Sequence, residues 1–505
     1  MIQECKACNA KLLAFLQRSD VLDSLIATIV SSRTGSNEAE ASTACEILCC
    51  DLDDLLTTLL THRQGALFYR LLDFLRLSDS DSLHPPMAGR FTSALRSIFS
   101  RRNGEVVELL RWCSDLIGTF TRTIGNDSSV DLLTRLVCAD EWLGVGYEDA
   151  RDVFASKGLV SSLTELLSVT CSEHERLNAS EALCAIARGV NSPLCRELAS
   201  SPNIGSVVSL ALPRPDPSHG SVQALEVLVA LLDPQHADGV PALTTQSPWE
   251  DPNPWETQKV EVEFVSPYHE VVSEVASRAP EMAAVLNTPP TGQHTAQSSA
   301  ASQPVGPLRL KVAEAVAALV RARDGKAAQS LQQANVMEAL IQLSFVCPYN
   351  SMAHHALERT VCGALDWEGS DLAHHIVYDC KLPHRLASVQ RHLPTHNGRV
   401  ARSGFMGHIV RMSDKLEDML GDDLQASEEW QAFAEGELTD VRDASNTSAW
   451  ECGRPPRFEE CAESIEFNED AFNDDGYSAG HPMSPQSDGN ALAPFVEVCH
   501  DAPFA

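Results

Sequence analysis

The stretch IQECKACNAKLLAFL, residues 2–16, sets the reading of the whole chain. Cys5, Cys8, Leu12 and Phe15 with Leu16 fall three or four positions apart, which puts them on one face at 3.6 residues per turn. Gln3, Glu4, Lys6 and Lys11 cover the rest. The spacing predicts one amphipathic helix across the stretch. After it, Ser19 or Asp20 caps a second helix whose Leu22, Leu25, Ile26 and Ile29 keep the same spacing, so the two form a hairpin.

Working outward, the pattern recurs over 44–60, 67–77, 91–99, 106–117, 130–137, 159–167 and 179–187, with Gly, Ser, Asn or Pro between the runs. Period-two alternation does not compete with it. Short helices joined by polar turns, with no βαβ rhythm, predict an all-α solenoid of helical repeats, HEAT- or armadillo-like. No repeat consensus emerges, so the repeat is inferred from helix lengths. Residues 234–258 break the pattern with five prolines and two copies of Pro-Trp-Glu, at 248–250 and 254–256. Trp249 and Trp255 are read as anchors pinning this loop, ahead of a linear motif for a partner. The expected organisation is N-terminal repeats over 1–233, the Pro/Trp loop, a helical repeat over 259–287, a flexible linker over 288–307, C-terminal repeats over 308–444 and a disordered acidic tail over 445–505.

The chain has 505 residues, 44% of them hydrophobic and 6% aromatic, a balance rich in Leu and Ala that suits stacked helices. Its net charge of −32 opposes nonspecific attraction to nucleic acid or anionic lipid. The acidity is concentrated: from Asp414 onward 23 acidic residues face 4 basic ones. No charged n-region with an apolar h-region opens the sequence and no apolar run approaches the roughly 20 residues of a membrane span. A soluble protein of a reducing compartment is expected, in the cytoplasm and also the nucleus, its 16 cysteines packed as small hydrophobes without disulfides.

Candidate chemistry is sparse. Cys5-x-x-Cys8 lacks a second CxxC, and Cys45, Cys49 and Cys50 share a helix with Leu48, which favours core packing. His354, His355, His374, His375, His384, His392 and His396 cluster near Cys380, but Pro394 breaks the helical geometry between His392 and His396 and no Glu-x-x-His pair recurs on two helices. Solvated or capping histidines are the favoured reading, a metal hydrolase on this region the least favoured alternative. No Gly-rich phosphate loop, Gly-x-Ser-x-Gly elbow or paired phosphatase metal ligands appear. No enzyme, catalytic residue, metal or cofactor is expected. Asn126, Asn178 and Asn446 stand in chance sequons, with Asn178 expected to bond backbone within its helix pair, and Ser484-Pro485 is a candidate phosphorylation site.

Identities add what spacing cannot. Ile2, Gln3, Glu4, Cys5, Lys6, Ala7, Asn9, Lys11, Leu12, Leu13, Phe15 and Leu16 resemble the opening signature of the SAPS family, the phosphatase-associated regulatory subunits of type-6, Sit-four-like serine/threonine phosphatases. The run TACEILCCD, residues 43–51, resembles a second block of that family, and further similarity follows in order at 131–137, at 178–180 with Leu183, at 406–408, and at Trp430 with Phe433. Family members carry an acidic leader and a further helix ahead of the signature, so the first hairpin is expected to lack that cover. The resemblance implies a non-catalytic scaffold that binds a type-6-like phosphatase catalytic subunit and directs its substrate choice, with an ankyrin-type scaffold protein as a further partner. It implies phosphatase-binding residues among Gln3, Glu4, Lys6, Asn9, Lys11, Glu46, Asp51 and Asn178. The alternative is a helical-repeat adaptor without a phosphatase.

Overall fold

The computed structural model describes residues 2–31, 38–50, 52–76, 85–137, 147–168, 171–189, 192–212, 220–233, 267–290, 304–388, 395–396, 399–400, 405–425 and 427–445. The Pro/Trp loop, most of the 288–307 linker and the acidic tail lie outside them. Helices follow one another as α1 (Ile2–Lys6), α2 (Ala10–Leu16), α3 (Ser19–Ser31), α4 (Glu38–Cys49), α5 (Asp53–Thr61), α6 (Ala66–Arg76), α7 (Pro85–Trp112), α8 (Leu116–Arg122) and α9 (Asp127–Val137). The next nine are α10 (Tyr147–Ser156), α11 (Leu159–Leu166), α12 (Glu173–Arg188), α13 (Pro193–Ala199), α14 (Ser201–Ala211), α15 (Ser221–Leu232), α16 (Pro267–Ala276), α17 (Ala279–Asn287) and α18 (Pro307–Arg321). Then come α19 (Gly325–Gln333), α20 (Val336–Val346), α21 (Ser351–Leu365), α22 (Asp371–His374), a π-helical turn His375–Asp379, α23 (Leu382–Ser388), α24 (Met406–Leu420), α25 (Asp422–Gln425), α26 (Glu428–Phe433), a second π-turn Ala434–Leu438 and α27 (Thr439–Ser445).

Packing reveals the repeat that no consensus showed. Helices stack on the third helix along: α9 on α12, then α15, α18, α21 and α24 in one column, and α7, α10, α13, α16, α19 and α22 in another. A third column runs α8, α11, α14, with α17 on α20 farther on. Each repeat is thus a three-helix unit of armadillo type, and α1 on α4 on α7, with α3 on α6, extends the same rule to the start. Most side-chain hydrogen bonds between stacked helices join residues 36 to 54 positions apart, which is the repeat length read in bonds. Asp233 is the exception: buried at the end of α15, it accepts from Arg321 at 2.7 Å and Arg359 at 2.5 Å, tying three consecutive repeats across the segment that holds the Pro/Trp loop.

The apolar residues at three-four spacing form one continuous core, from Cys5 and Leu16 to Trp430 and Leu438. Phe120 and Phe154 meet edge to face within it, ring centroids 5.8 Å apart. Contacts divide the chain into Met1–Arg442 and Asp443–Ala505, and of the second unit only residues 443–445 are described, as the end of α27.

Three sequence expectations need correction. Residues 2–16 form two helices: Cys8 takes a left-handed φ of +53°, Asn9 N–H bonds Glu4 O and Cys8 N–H bonds Cys5 O, the pattern of a helix stop, and Asn9 then caps α2. The cause is the asparagine, whose side chain accepts from Lys11 N at 3.2 Å and Leu12 N at 3.4 Å and so favours a new helix start over continuation. Residues 44–60 likewise divide into α4 and α5, with Leu52 extended (φ −122°, ψ 88°) and Asp53 and Asp54 in the first turn of α5, where carboxylates suit the helix dipole. The third falls on 106–117, where α7 ends at Trp112 and α8 begins at Leu116; the short ladder of Thr395–His396 antiparallel to Arg399–Val400 leaves the all-α class unchanged.

Candidate functional site

The two N-terminal signature stretches pack together, because α1 lies on α4. Cys5, Leu16, Ala44, Cys45, Ile47, Leu48 and Cys50 all go into the core. The junction is stitched by Arg101 Nη1 donating to Cys50 O at 2.9 Å. Among the polar residues of the two stretches, Gln3, Glu4, Lys6, Asn9, Lys11 and Glu46 stay exposed. Cys8 and Phe15, expected on the packed face, are exposed as well, because the break after Ala7 turns them away. Asn9 Nδ2 also donates to Glu4 Oε2 at 2.9 Å, locking α1 to α2. Asp51 lies outside the described residues.

Asn178 stands apart from this surface. It is 6% exposed on α12, and its Nδ2 donates to Ile124 O at 2.7 Å and Asp127 Oδ1 at 3.3 Å, so it holds the turn that enters α9 in the preceding repeat. Sequence reading placed its bonds within its own helix pair; they cross to the neighbouring repeat instead. Asn126, in that turn, accepts from Ser128 N and Ser129 N. The apolar residues of the later resemblance are interior, Leu132, Leu133, Leu136 and Val137 on α9, Leu183 on α12, and Trp430 with Phe433, whose rings meet at 5.5 Å, whereas Asp131 and Gly407 are exposed.

The thiols differ in character. The described cysteines are all free. On α4 a side-chain hydrogen bond with Cys45 holds the Cys49 thiol down to about 7 against the opposing effect of burial, with Ser97, Arg101 and Arg96 adding to the lowering. Cys380 has the opposite setting. Its Sγ lies 3.6 Å from His375 Nε2, and His375 Nδ1 lies 2.9 Å from Asp379 Oδ2, the order of a Cys-His-Asp triad along one π-turn. Yet Cys380 is 3% exposed and burial pushes its thiol up to about 11, so neither a thiolate nor an approach for substrate exists at neutral pH.

The histidines of the cluster are mostly engaged by protein groups. His354 bonds Ser344 O at 2.9 Å and stacks on Phe405, His374 lies 4.5 Å from the Tyr378 ring, and His384 Nδ1 meets Glu429 Oε2 at 2.6 Å. His392 lies outside the described residues. Between α23, α24 and α26 an open cleft of about 330 Å³ is lined by Tyr378, Lys381, His384, Asp423 and Trp430 among others, with no convergent set of reactive groups. No described helix is long and apolar enough to cross a membrane.

Comparison with known proteins decides the family. The SAPS family, described as SIT4 phosphatase-associated protein, matches residues 95–330 and 326–447, more than half of the chain. The chain belongs to the SAPS family. The match covers the repeats from α7 to α27, so the N-terminal signature stretches stand ahead of it. Among relatives, the SAPS chain is 25% identical to serine/threonine-protein phosphatase 6 regulatory subunit 1 of Mus musculus over 87% of its own length and 56% of that protein's. It is 23% identical to regulatory subunit 3 of Gallus gallus over 82% of its own length and 50% of that protein's. It therefore spans about half the length of the curated relatives it matches. A crystal structure of an engineered protein aligns over 83% of this SAPS chain and 99% of that one at 14% identity, with a TM-score of 0.36, too low to bear on the fold.

Proposed function

We propose that this protein is a non-catalytic regulatory subunit that binds a type-6-like serine/threonine phosphatase catalytic subunit and directs its substrate choice. The observation that carries the reading is the SAPS match across the three-helix repeats. The described residues are consistent with it: stacked repeats offer an extended surface for a partner, and in the Cys-His-Asp array the thiol of Cys380 is buried and pushed up to about 11. Docking at the N-terminal end would use the exposed Gln3, Glu4, Lys6, Lys11 and Glu46. Asn9 and Asn178 would act there indirectly, the first by fixing the α1–α2 angle, the second by fixing the repeat beneath. An ankyrin-type scaffold as further partner, and residence in cytoplasm and nucleus, go with the same reading.

The test is affinity purification of the tagged chain with mass spectrometry, beside a variant carrying Glu4→Lys, Lys6→Glu and Lys11→Glu. Wild type should retain a phosphatase catalytic subunit, and the variant should lose most of it while keeping its helical circular dichroism. Retention by the variant would move the docking surface along the stack; absence of any phosphatase from the wild-type sample would refute the function itself.

A further inference from the structure

His355 and Glu358 are one helical turn apart on α21, and His408 reaches them from α24, the next helix of the same column. One ligand atom from each residue lies within 4.8 Å of the other two. Glu358 is largely withdrawn from solvent, its side chain 10% exposed; its Oε2 pairs with His408 Nδ1, and its Oε1 accepts from Arg411 Nη1 at 3.0 Å. His355 is exposed and supplies both the third donor and the way in. His354, beside them, is a wall of the site, its Nε2 being held by Ser344 O.

We propose that His355, Glu358 and His408 form a binding site for one divalent transition-metal ion of the zinc class, joining α21 to α24. Two imidazoles and a carboxylate select zinc, cobalt or nickel over magnesium or calcium, and three protein donors leave a fourth position for water or for a partner's side chain. Zinc holds such donors at about 2.0–2.2 Å, so they end about 3.5 Å apart. Seating the ion there requires His408 Nδ1 and Glu358 Oε2, now hydrogen-bonded to each other, to move apart to that spacing while the exposed His355 side chain swings in. The ion takes the place of the proton between His408 Nδ1 and Glu358 Oε2, and that proton leaves to solvent. Arg411 is the competitor: its side chain is 70% exposed, so it can withdraw from Glu358, but its charge opposes the ion. The site is independent of the phosphatase reading.

Cobalt(II) titration of the full-length chain, followed by its visible absorption, tests this directly. Wild type should bind one equivalent with a tetrahedral nitrogen-and-oxygen spectrum that lacks a thiolate charge-transfer band. His355→Ala, at an exposed position, should weaken binding by at least about tenfold with unchanged circular dichroism, and His408→Ala likewise. Arg411→Gln should bind several-fold more tightly, a change that a merely structural ion pair does not produce. The proposal is overturned by a wild-type chain without a cobalt spectrum, by a thiolate band, or by equal binding in His355→Ala.

Discussion

Cys49 shows how little of a side chain's chemistry its place in a sequence carries. Next to Leu48 and Cys50 it reads as packing, yet Cys45 one turn earlier and Ser97 and Arg101 from α7 hold its thiol near neutrality. Those groups lie about 50 positions away along the chain or behind an identical-looking cysteine, and only the stack brings them together. The sign follows from the lowered value: the thiolate fraction of Cys49 rises through about 7 rather than through the ordinary 9.0, whereas Cys195 and Cys362, pushed up to about 11 by burial, stay protonated. Alkylation by iodoacetamide, read by mass spectrometry against pH, should label Cys49 with a midpoint about 7, ahead of those two. Cys45→Ala should move that midpoint upward. Asn178 makes the second prediction. Asn178→Ala leaves Ile124 O without its donor in a buried place and should cost about 1–3 kcal/mol, measured as a lower unfolding midpoint in urea. The metal triad is partly visible too: His355-x-x-Glu358 stands in the sequence, but the third donor, His408, lies 50 residues on from Glu358, beyond the run of histidines at 354–396.

At the scale of elements, three-four spacing located most helices of the described residues, because the spacing is itself the record of a buried stripe, but α10, α13, α14, α15, α19 and α25 fall outside the runs it marks. Boundaries were less legible. Asn9 carried a cap signal in plain view, but the apolar spacing ran through it without interruption, and the longer pattern overrode the local one. The stop ahead of it is unusual in using a cysteine at the left-handed position that glycine favours. Cys8→Gly should relieve that strain and stabilise α1 by about 1 kcal/mol, the roughly 1–2 kcal/mol that a left-handed conformation costs an L-residue less the chain entropy that glycine gives up. Hydrogen exchange of the α1 amides would slow in the variant; faster exchange would show that the thiol contributes a contact of its own. At the start of α12, Ser172 and Glu175 form a reciprocal capping box, and Ser172→Ala should lose about 1 kcal/mol from that helix, read from the same exchange experiment.

For the molecule as a whole, the solenoid was legible from helix length and connection, but its period was not, because three-helix units with unrelated side chains satisfy the same packing rule. The family was legible first at the N-terminal end, where the exposed Gln3, Glu4, Lys6, Asn9 and Lys11 carry the signature, and more thinly at interior positions such as Leu132, Leu133 and Trp430. Stability in such a stack is a sum over neighbours. A charge buried in one unit, as in Leu228→Asp on α15, should therefore erase exchange protection in α12, α15 and α18 while leaving α4 and α7 protected, and urea unfolding of that variant should lose its single sharp transition. A uniform loss over all helices would show instead that the stack unfolds as one body. The stacking of each helix on the third one along has a further consequence, for synthesis. Most of its partners lie within about fifty residues of chain already made, so contact order stays low and each unit can close on its predecessor as it leaves the ribosome. The junction of α15 with α18 departs from this, because Glu226 waits for Lys311 and Asp233 waits for Arg321 and Arg359, the last two 88 and 126 residues later.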